Sequence, residues 1–249
     1  MKISTIAILT LVVCLSAAAF GQKPEAAKPA MTATTKLPTV AEILANYVRA
    51  IGGREANEKI KSRSVKGTVS LSPMGVSGTY ETLVAAESRS VTVMNLQGVG
   101  EMKEGFDGKI GWSVNPLQGS RERSGLELKQ QMLINNFYRD INLDKLYSKM
   151  ELKGTEKIGT QEAYVIVATA GELPSETYYF DTKSGFMLRN DATLIAPEGN
   201  QPTKIYYEDL RAVDGVMIPY RVRTQLPSFE IVLTITELKN NVAVDEAKF

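Results

Sequence analysis

Residues 38 to 53 read P-T-V-A-E-I-L-A-N-Y-V-R-A-I-G-G. Val40, Ile43, Leu44, Tyr47, Val48 and Ile51 fall at i, i+3, i+4, i+7, i+8 and i+11, which gathers them on one stripe of an α-helix and leaves Glu42, Asn46 and Arg49 off it. Thr39 with Glu42 three residues on is a capping-box signature, and Gly52-Gly53 supplies the left-handed stop favoured at helix C-termini. A single amphipathic helix needs an apolar surface to lie on. The chain beyond it is written almost wholly in strands, so the stretch predicts a helix over 39–52 laid against a sheet.

After a short helical turn expected within 54–61, the apolar period changes from 3.6 to 2. Val65, Gly67, Val69 and Leu71 alternate with Ser64, Lys66, Thr68 and Ser70, the pattern of a strand with one buried and one wet face. Strands are expected again over 76–85 and 88–94. Asp107-Gly108 then stands between Met102/Phe106 and Ile110/Trp112/Val114, a hairpin signal whose two turn residues would both take positive φ. A loop over 115–123 leads to Ser124 and Glu127, a second capping-box signature, and to a helix over 125–137 with Leu128, Met132, Leu133 and Phe137 as its apolar positions. Further strands follow at 149–157, 162–169, 176–181, 186–195, 203–213, 216–225 and 229–238, with Asp214-Gly215 pinning a tight turn. About ten or eleven strands at roughly ten-residue spacing make a large antiparallel sheet, which must curl as its twist accumulates. Two helices are too few for parallel crossovers, so the expected class is α+β with the sheet covered on one side.

The first residues, M-K-I-S-T-I-A-I-L-T-L-V-V-C-L-S-A-A-A-F-G-Q, carry one Lys, an apolar run from Ile6 to Leu15 and a small-residue site ending at Gly21. That is a secretory signal peptide, with cleavage expected after Gly21. A lipoprotein would need a small residue before Cys14, where Val13 stands, and the run is well short of the roughly 20 residues of a membrane span. Residues 22–37, rich in Ala, Pro, Lys and Thr, read as a flexible linker. Residues 38–249 are expected to form a single domain.

Cleavage leaves 228 residues with 28 basic and 28 acidic side chains. Neutrality argues against nucleic acid as a partner, since that needs clustered positive charge. The chain has no His, and its one Cys lies in the signal peptide, so disulfides, Ser-His-Asp and Cys-His catalysis and the usual zinc ligand sets drop out. The adjacent carboxylates Glu208-Asp209 and Asp245-Glu246 would point to opposite faces of a strand, and 181–185 lacks the oxygen ligands of a calcium loop. Gly98-Val99-Gly100 lacks the third glycine of a dinucleotide fingerprint. No catalytic residue, metal site or cofactor is assigned.

Large, soft or amphipathic side chains remain, of the kind that line a cavity for a flexible hydrocarbon. Tyr47, Tyr80, Val91, Val93, Met102, Phe106, Trp112, Met132, Phe137, Tyr178 and Phe180 are the candidate lining, with Met94, Tyr206 and Tyr220 of similar character. Each one taken alone fits an ordinary core better, whereas the group, facing a sheet too wide for one helix to fill, points to a cavity. Trp112, on the alternating face of Ile110 and Val114, is expected to point inward.

Three segments carry a family resemblance: G-F-D-G-K-I-G-W (105–112), Y-F-D-T-K-S-G-F-M-L-R (179–189) and Y-E-D-L-R-A-V-D-G-V-M-I-P (207–219). They resemble the outer-membrane lipoprotein-sorting family, the LolA/LolB-like periplasmic proteins. The resemblance implies an incomplete β-barrel lidded by two or three helices around a cavity for acyl chains. It implies a monomeric periplasmic protein that binds or carries a lipid or lipid-modified protein without catalysis, with an envelope membrane protein as a further partner. The alternative it leaves open is an envelope-stress-sensing or protein-interaction domain of the same fold with no transported ligand.

Overall fold

The computed structural model describes residues 36–116 and 119–249. The expected signal peptide, 1–21, and most of the expected linker, 22–37, lie outside the described residues.

Helix α1 (Val40–Ala50) begins as its sequence directs: Thr39 Oγ1 accepts from the backbone N–H of Glu42 at 3.3 Å, and Glu42 Oε2 accepts from the Thr39 N–H at 2.7 Å. Gly52, at φ 106°, turns the chain into α2 (Gly53–Glu58). Six strands follow: β1 (Ser62–Ser72), β2 (Val76–Ala85), β3 (Arg89–Leu96), β4 (Gly100–Phe106), β5 (Gly111–Asn115) and β6 (Gly119–Glu122). Then come α3 (Gly125–Ile134), a 3₁₀ turn at Arg139–Ile141 and the one-turn α4 (Leu143–Leu146). The second run is β7 (Lys149–Ile158), β8 (Gln161–Thr169), β9 (Glu176–Asp181), β10 (Met187–Leu194), β11 (Gln201–Val213), β12 (Val216–Gln225) and β13 (Glu230–Asn240).

All thirteen strands belong to one antiparallel sheet in the order β6-β5-β4-β3-β2-β1-β13-β12-β11-β10-β9-β8-β7. Each half of the chain is an up-and-down meander, and the halves join where the first strand pairs with the last. The ends, β6 and β7, do not pair with one another, so the curved sheet stays an unclosed barrel. Edge strand β7 carries Lys149, Glu151, Lys153, Glu156 and Lys157 and a register shift at Leu152/Gly154, features that discourage pairing with another sheet.

The core follows the apolar stripe of α1. Ile43, Leu44, Tyr47 and Ile51 pack with Ile141, Leu143 and Tyr147 on the side of the second meander, against Ile166, Tyr178, Phe180 and Met187. A separate cluster of Val69, Tyr80 and Leu96, flanked by Met94 and Met102, lies on the first meander.

Several sequence expectations are corrected. The sheet has two or three more strands than expected, in part because 119–122, read as loop, pairs with β5. At Asp214-Gly215 both residues take positive φ, 50° and 80°, as a tight turn between opposed Val213 and Val216 requires. At Asp107-Gly108 only the glycine does, at 103°. There Asp107 Oδ1 accepts from the N–H groups of Lys109 and Ile110 at 2.7 and 2.6 Å, so the side chain, not a mirror-image turn, closes the loop. The second capping box does not form: the Ser124 side chain makes no cap bond, and Glu127 is drawn to Arg121 by paired bonds of 2.7 and 2.6 Å. Helix α3 also stops at Ile134 and buries Gln130, Gln131 and Leu133. Gln131 explains this face, because its amide donates to the Gly105 carbonyl at 3.1 Å and its Oε1 occupies the space a Cβ on Gly111 would fill.

Candidate functional site

The end of α3, the link after it and the 3₁₀ turn, residues 134–141, form a strap that lines a cavity of about 250 Å³. Helices α1 and α2 contribute Tyr47 and Asn57 to its wall and the residues just after them Ile51 and Ile60; the sheet contributes Arg63, Val84, Tyr207, Leu210 and Ile218; the strap contributes Ile134, Phe137, Tyr138 and Asp140. The lining is therefore amphiphilic: aliphatic and aromatic surface, with a guanidinium, a carboxylate and phenols.

The strap is tied at both ends of its polar stretch. The Tyr138 hydroxyl donates to the Ile60 carbonyl at 3.0 Å and receives a bond from Lys61 Nζ at 3.1 Å. Arg54 donates to Asn142 Oδ1 at 3.2 Å and also to the Ile141 carbonyl. Arg139 reaches into the core, donating to Glu176 Oε2 at 2.9 Å, to the Tyr147 hydroxyl at 3.0 Å and to the Tyr178 hydroxyl. The Tyr178 hydroxyl in turn donates to Glu176 Oε2 at 2.8 Å. Burial works against the Arg139 charge, yet the oxygens of Tyr178, Tyr147 and Glu176 hold its pKa well above the ordinary value.

Burial also raises the phenols of Tyr47 and Tyr207, with Asp140 adding to the shift at Tyr47 and opposed at Tyr207 by Arg139. Both are neutral hydrogen-bonding groups across the physiological range, not groups poised for proton transfer near neutrality. Arg63, partly buried at the start of β1, donates through Nε to Asn240 Oδ1 at 2.9 Å, and burial lowers its pKa. Among the described residues, no group of three or more His, Cys, Asp or Glu is placed to hold a metal ion.

The residues singled out in the sequence are distributed over several places. Tyr47 and Phe137 line the cavity. Tyr178 and Phe180 lie next to it in the core, with Phe180 5.1 Å from the Tyr47 ring and 6.0 Å from Tyr178. Tyr80 and Met102 belong to the cluster on the first meander, and Phe106 is buried opposite Gly111, on the face that carries Gln131. Trp112 stands opposite Gly105, which stands opposite Val91, so Trp112, Val91 and Val93 share the other face of the sheet. Met132 is 49% exposed on α3. Arg63, Asp140, Tyr207 and Ile218 were absent from that selection.

No family model matches the sequence, and no curated protein matches it. Solved structures do resemble the fold. A DUF1329 family protein from Desulfovibrio piger superposes with a TM-score of 0.57 at 12% identity, over 84% of this chain and 95% of that one. A LolA superfamily protein from Nitrosomonas europaea gives 0.55 at 16%, over 86% and 98%. A domain described as outer membrane lipoprotein-sorting from Vibrio parahaemolyticus gives 0.52 at 10%, over 78% and 92%. The chain thus has the LolA-like fold, an incomplete antiparallel barrel with a few helices against it.

Proposed function

We propose that this protein binds an amphiphile, a lipid or the acyl part of a lipid-modified protein, and carries it through the periplasm without catalysis. The signal peptide expected at 1–21 would deliver it there. The observation that carries this reading is the strapped, amphiphilic cavity under residues 134–141 in a sheet that never closes.

Each methylene withdrawn from water is worth about 0.8 kcal/mol, so a chain of roughly fifteen carbons represents on the order of 12 kcal/mol. A carrier must capture most of that and still release its load. The cavity, at about 250 Å³, lies near the small end of ligand sites, which run from roughly 300 to 1,000 Å³. A full acyl chain therefore needs the strap displaced. The outer part of the strap is suited to that, because the ties at Tyr138 and Asn142 are polar bonds that water can replace, while Arg139 keeps its buried pairing with Glu176.

Protein purified from its own periplasm and examined by native mass spectrometry, followed by lipid extraction, tests the reading. Co-purifying acyl species at a fixed stoichiometry are expected. A ligand-free protein bound to a stoichiometric protein partner would favour the second reading, an interaction or sensing domain. The exposure of Leu126, Met132 and Ile134 on α3 supports that second reading.

A further inference from the structure

The other buried or partly buried arginines of the sheet and strap each meet a carboxylate at close range. Arg89 meets Glu87 at 3.9 Å, Arg121 meets Glu127 at 2.6 Å, Arg123 meets Glu104 at 2.7 Å, Arg139 meets Glu176 at 2.9 Å, Arg189 meets Asp191 at 2.7 Å and Arg223 meets Glu230 at 3.0 Å. Arg63 does not. It is partly buried and lines the cavity, and among the described residues no carboxylate lies within 4.0 Å of its guanidinium. Its hydrogen bond goes from Nε to the neutral Asn240 side chain, which leaves the Nη groups for the cavity. Asp140, the one carboxylate of the lining, is solvent-exposed on the strap and beyond ion-pair distance.

A partly desolvated cation whose favourable charges, Asp140 and Asp214, lie beyond ion-pair distance is costly to keep, and an oxyanion is the chemistry that relieves it, since a guanidinium presents paired donors to carboxylate or phosphate oxygens. Around Arg63 the wall turns apolar at once, with Ile60, Val84, Phe137 and Ile218. That arrangement fits a charged head with hydrocarbon attached. Building on the carriage reading, we propose that the cavity takes an amphiphile with an oxyanion head, carboxylate or phosphate, and that Arg63 binds that head.

Two consequences follow for charge. A neutral acyl group leaves Arg63 unpaired and gains only from hydrocarbon burial. Asp140, on the rim, repels the head weakly through solvent, so its removal strengthens binding of anions.

The test uses the mature protein freed of endogenous lipid, with N-phenyl-1-naphthylamine as an uncharged reporter and three twelve-carbon competitors below their micelle concentrations. These are laurate, lauroyl lysophosphatidylglycerol and uncharged monolaurin. Both anions are expected to displace the reporter at roughly tenfold lower concentration than monolaurin, as a charge-assisted hydrogen bond implies. Whichever of the two is tighter identifies carboxylate or phosphate as the preferred head. Arg63→Gln should abolish the preference by weakening the anions far more than monolaurin, Arg63→Lys should keep part of it, and Asp140→Asn should increase it a few-fold. A thermal melt of each variant separates loss of binding from loss of fold, and Arg63→Lys carries the test if Arg63→Gln does not fold. Equal displacement by all three in the wild type, a preference that survives Arg63→Gln, or weakened anion binding in Asp140→Asn would overturn the Arg63 assignment alone. If none of the three displaces the reporter or binds by calorimetry, the carriage reading falls and this one with it.

Discussion

Arg139 and Glu176 form an ion pair of 2.9 Å with both side chains largely withdrawn from water, and it is the deepest tie between the strap and the sheet. Tyr147 and Tyr178 beside it share the hydrogen bonding, and Asn190 Nδ2 donates to Glu176 Oε2 at 3.3 Å. Removing one member leaves the other charged and buried, which typically costs about 3–5 kcal/mol, whereas replacing both by apolar groups can be nearly neutral. Glu176→Leu should therefore lower the thermal midpoint sharply, and Arg139→Met with Glu176→Leu should recover much of the loss. Circular dichroism melts of the single and double variants check this; strictly additive losses would contradict it.

The junction of α1 and α2 is held against the β11–β12 turn. The Met217 N–H donates to the Ile51 carbonyl at 3.1 Å, and a Cβ on Gly52 would stand 2.1 Å from the Gly215 carbonyl oxygen. Gly52 also sits at φ 106°, where side chains are strained. Gly53 shares a positive φ, 82°, but a Cβ there meets nothing within 4 Å. Gly52→Ala should destabilise by several kcal/mol, on the scale of a core clash, and Gly53→Ala by about 1 kcal/mol. Chemical denaturation of the two variants is the comparison to make.

Asp181 makes the turn after β9 sensitive to acid. Its Oδ1 accepts from the N–H groups of Lys183 and Ser184 at 3.1 and 2.6 Å and from the Ser184 hydroxyl at 2.7 Å. Burial opposes the charge, yet these donors hold the pKa below the ordinary 3.8. A depressed carboxylate contributes stability that is fully present above its unfolded pKa and is lost as the pH falls through the folded value. Stability should thus decline below about pH 4 partly on this residue's account. Asp181→Asn should cost about 1–2 kcal/mol at neutral pH and flatten the decline. Urea midpoints measured between pH 2 and 7 decide it.

Trp112 lies across Gly105, where a Cβ would stand 2.3 Å from the indole ring, and its N–H donates to the Phe249 carbonyl at 3.3 Å. It occupies the sheet face away from Phe106 and Gln131. A ligand in the strapped cavity should leave its emission unchanged. Deleting Phe249 should shift that emission to the red by exposing the ring. Steady-state fluorescence with saturating amphiphile tests both statements.

The sequence was most informative where a residue's neighbours in the chain are also its neighbours in space. The capping box of Thr39 and Glu42, the stripe of α1 and the Asp214-Gly215 turn all follow from local chemistry. Ser124 and Glu127 have the same spacing, but Arg121 and Arg123 stand close enough to draw Glu127 away, and spacing alone does not reveal that competition. Alternation showed that Ile110, Trp112 and Val114 share a face, without telling which face α3 would cover. The cavity was least legible. Arg63, Asp140, Tyr207 and Ile218 come from the start of β1, the strap, β11 and β12, and the three strands meet only through the successive pairings of β1 with β13, β13 with β12 and β12 with β11.

The most direct test of amphiphile carriage is photolabelling with a fatty acid that bears a diazirine near its terminal methyl, followed by peptide mapping of the adducts. Adducts are expected to concentrate on the cavity wall, at residues such as Tyr47, Phe137, Leu210 and Ile218, and to be suppressed by excess unlabelled lipid. Adducts confined to the opposite face near Val91 and Trp112, or labelling that unlabelled lipid does not suppress, would contradict it.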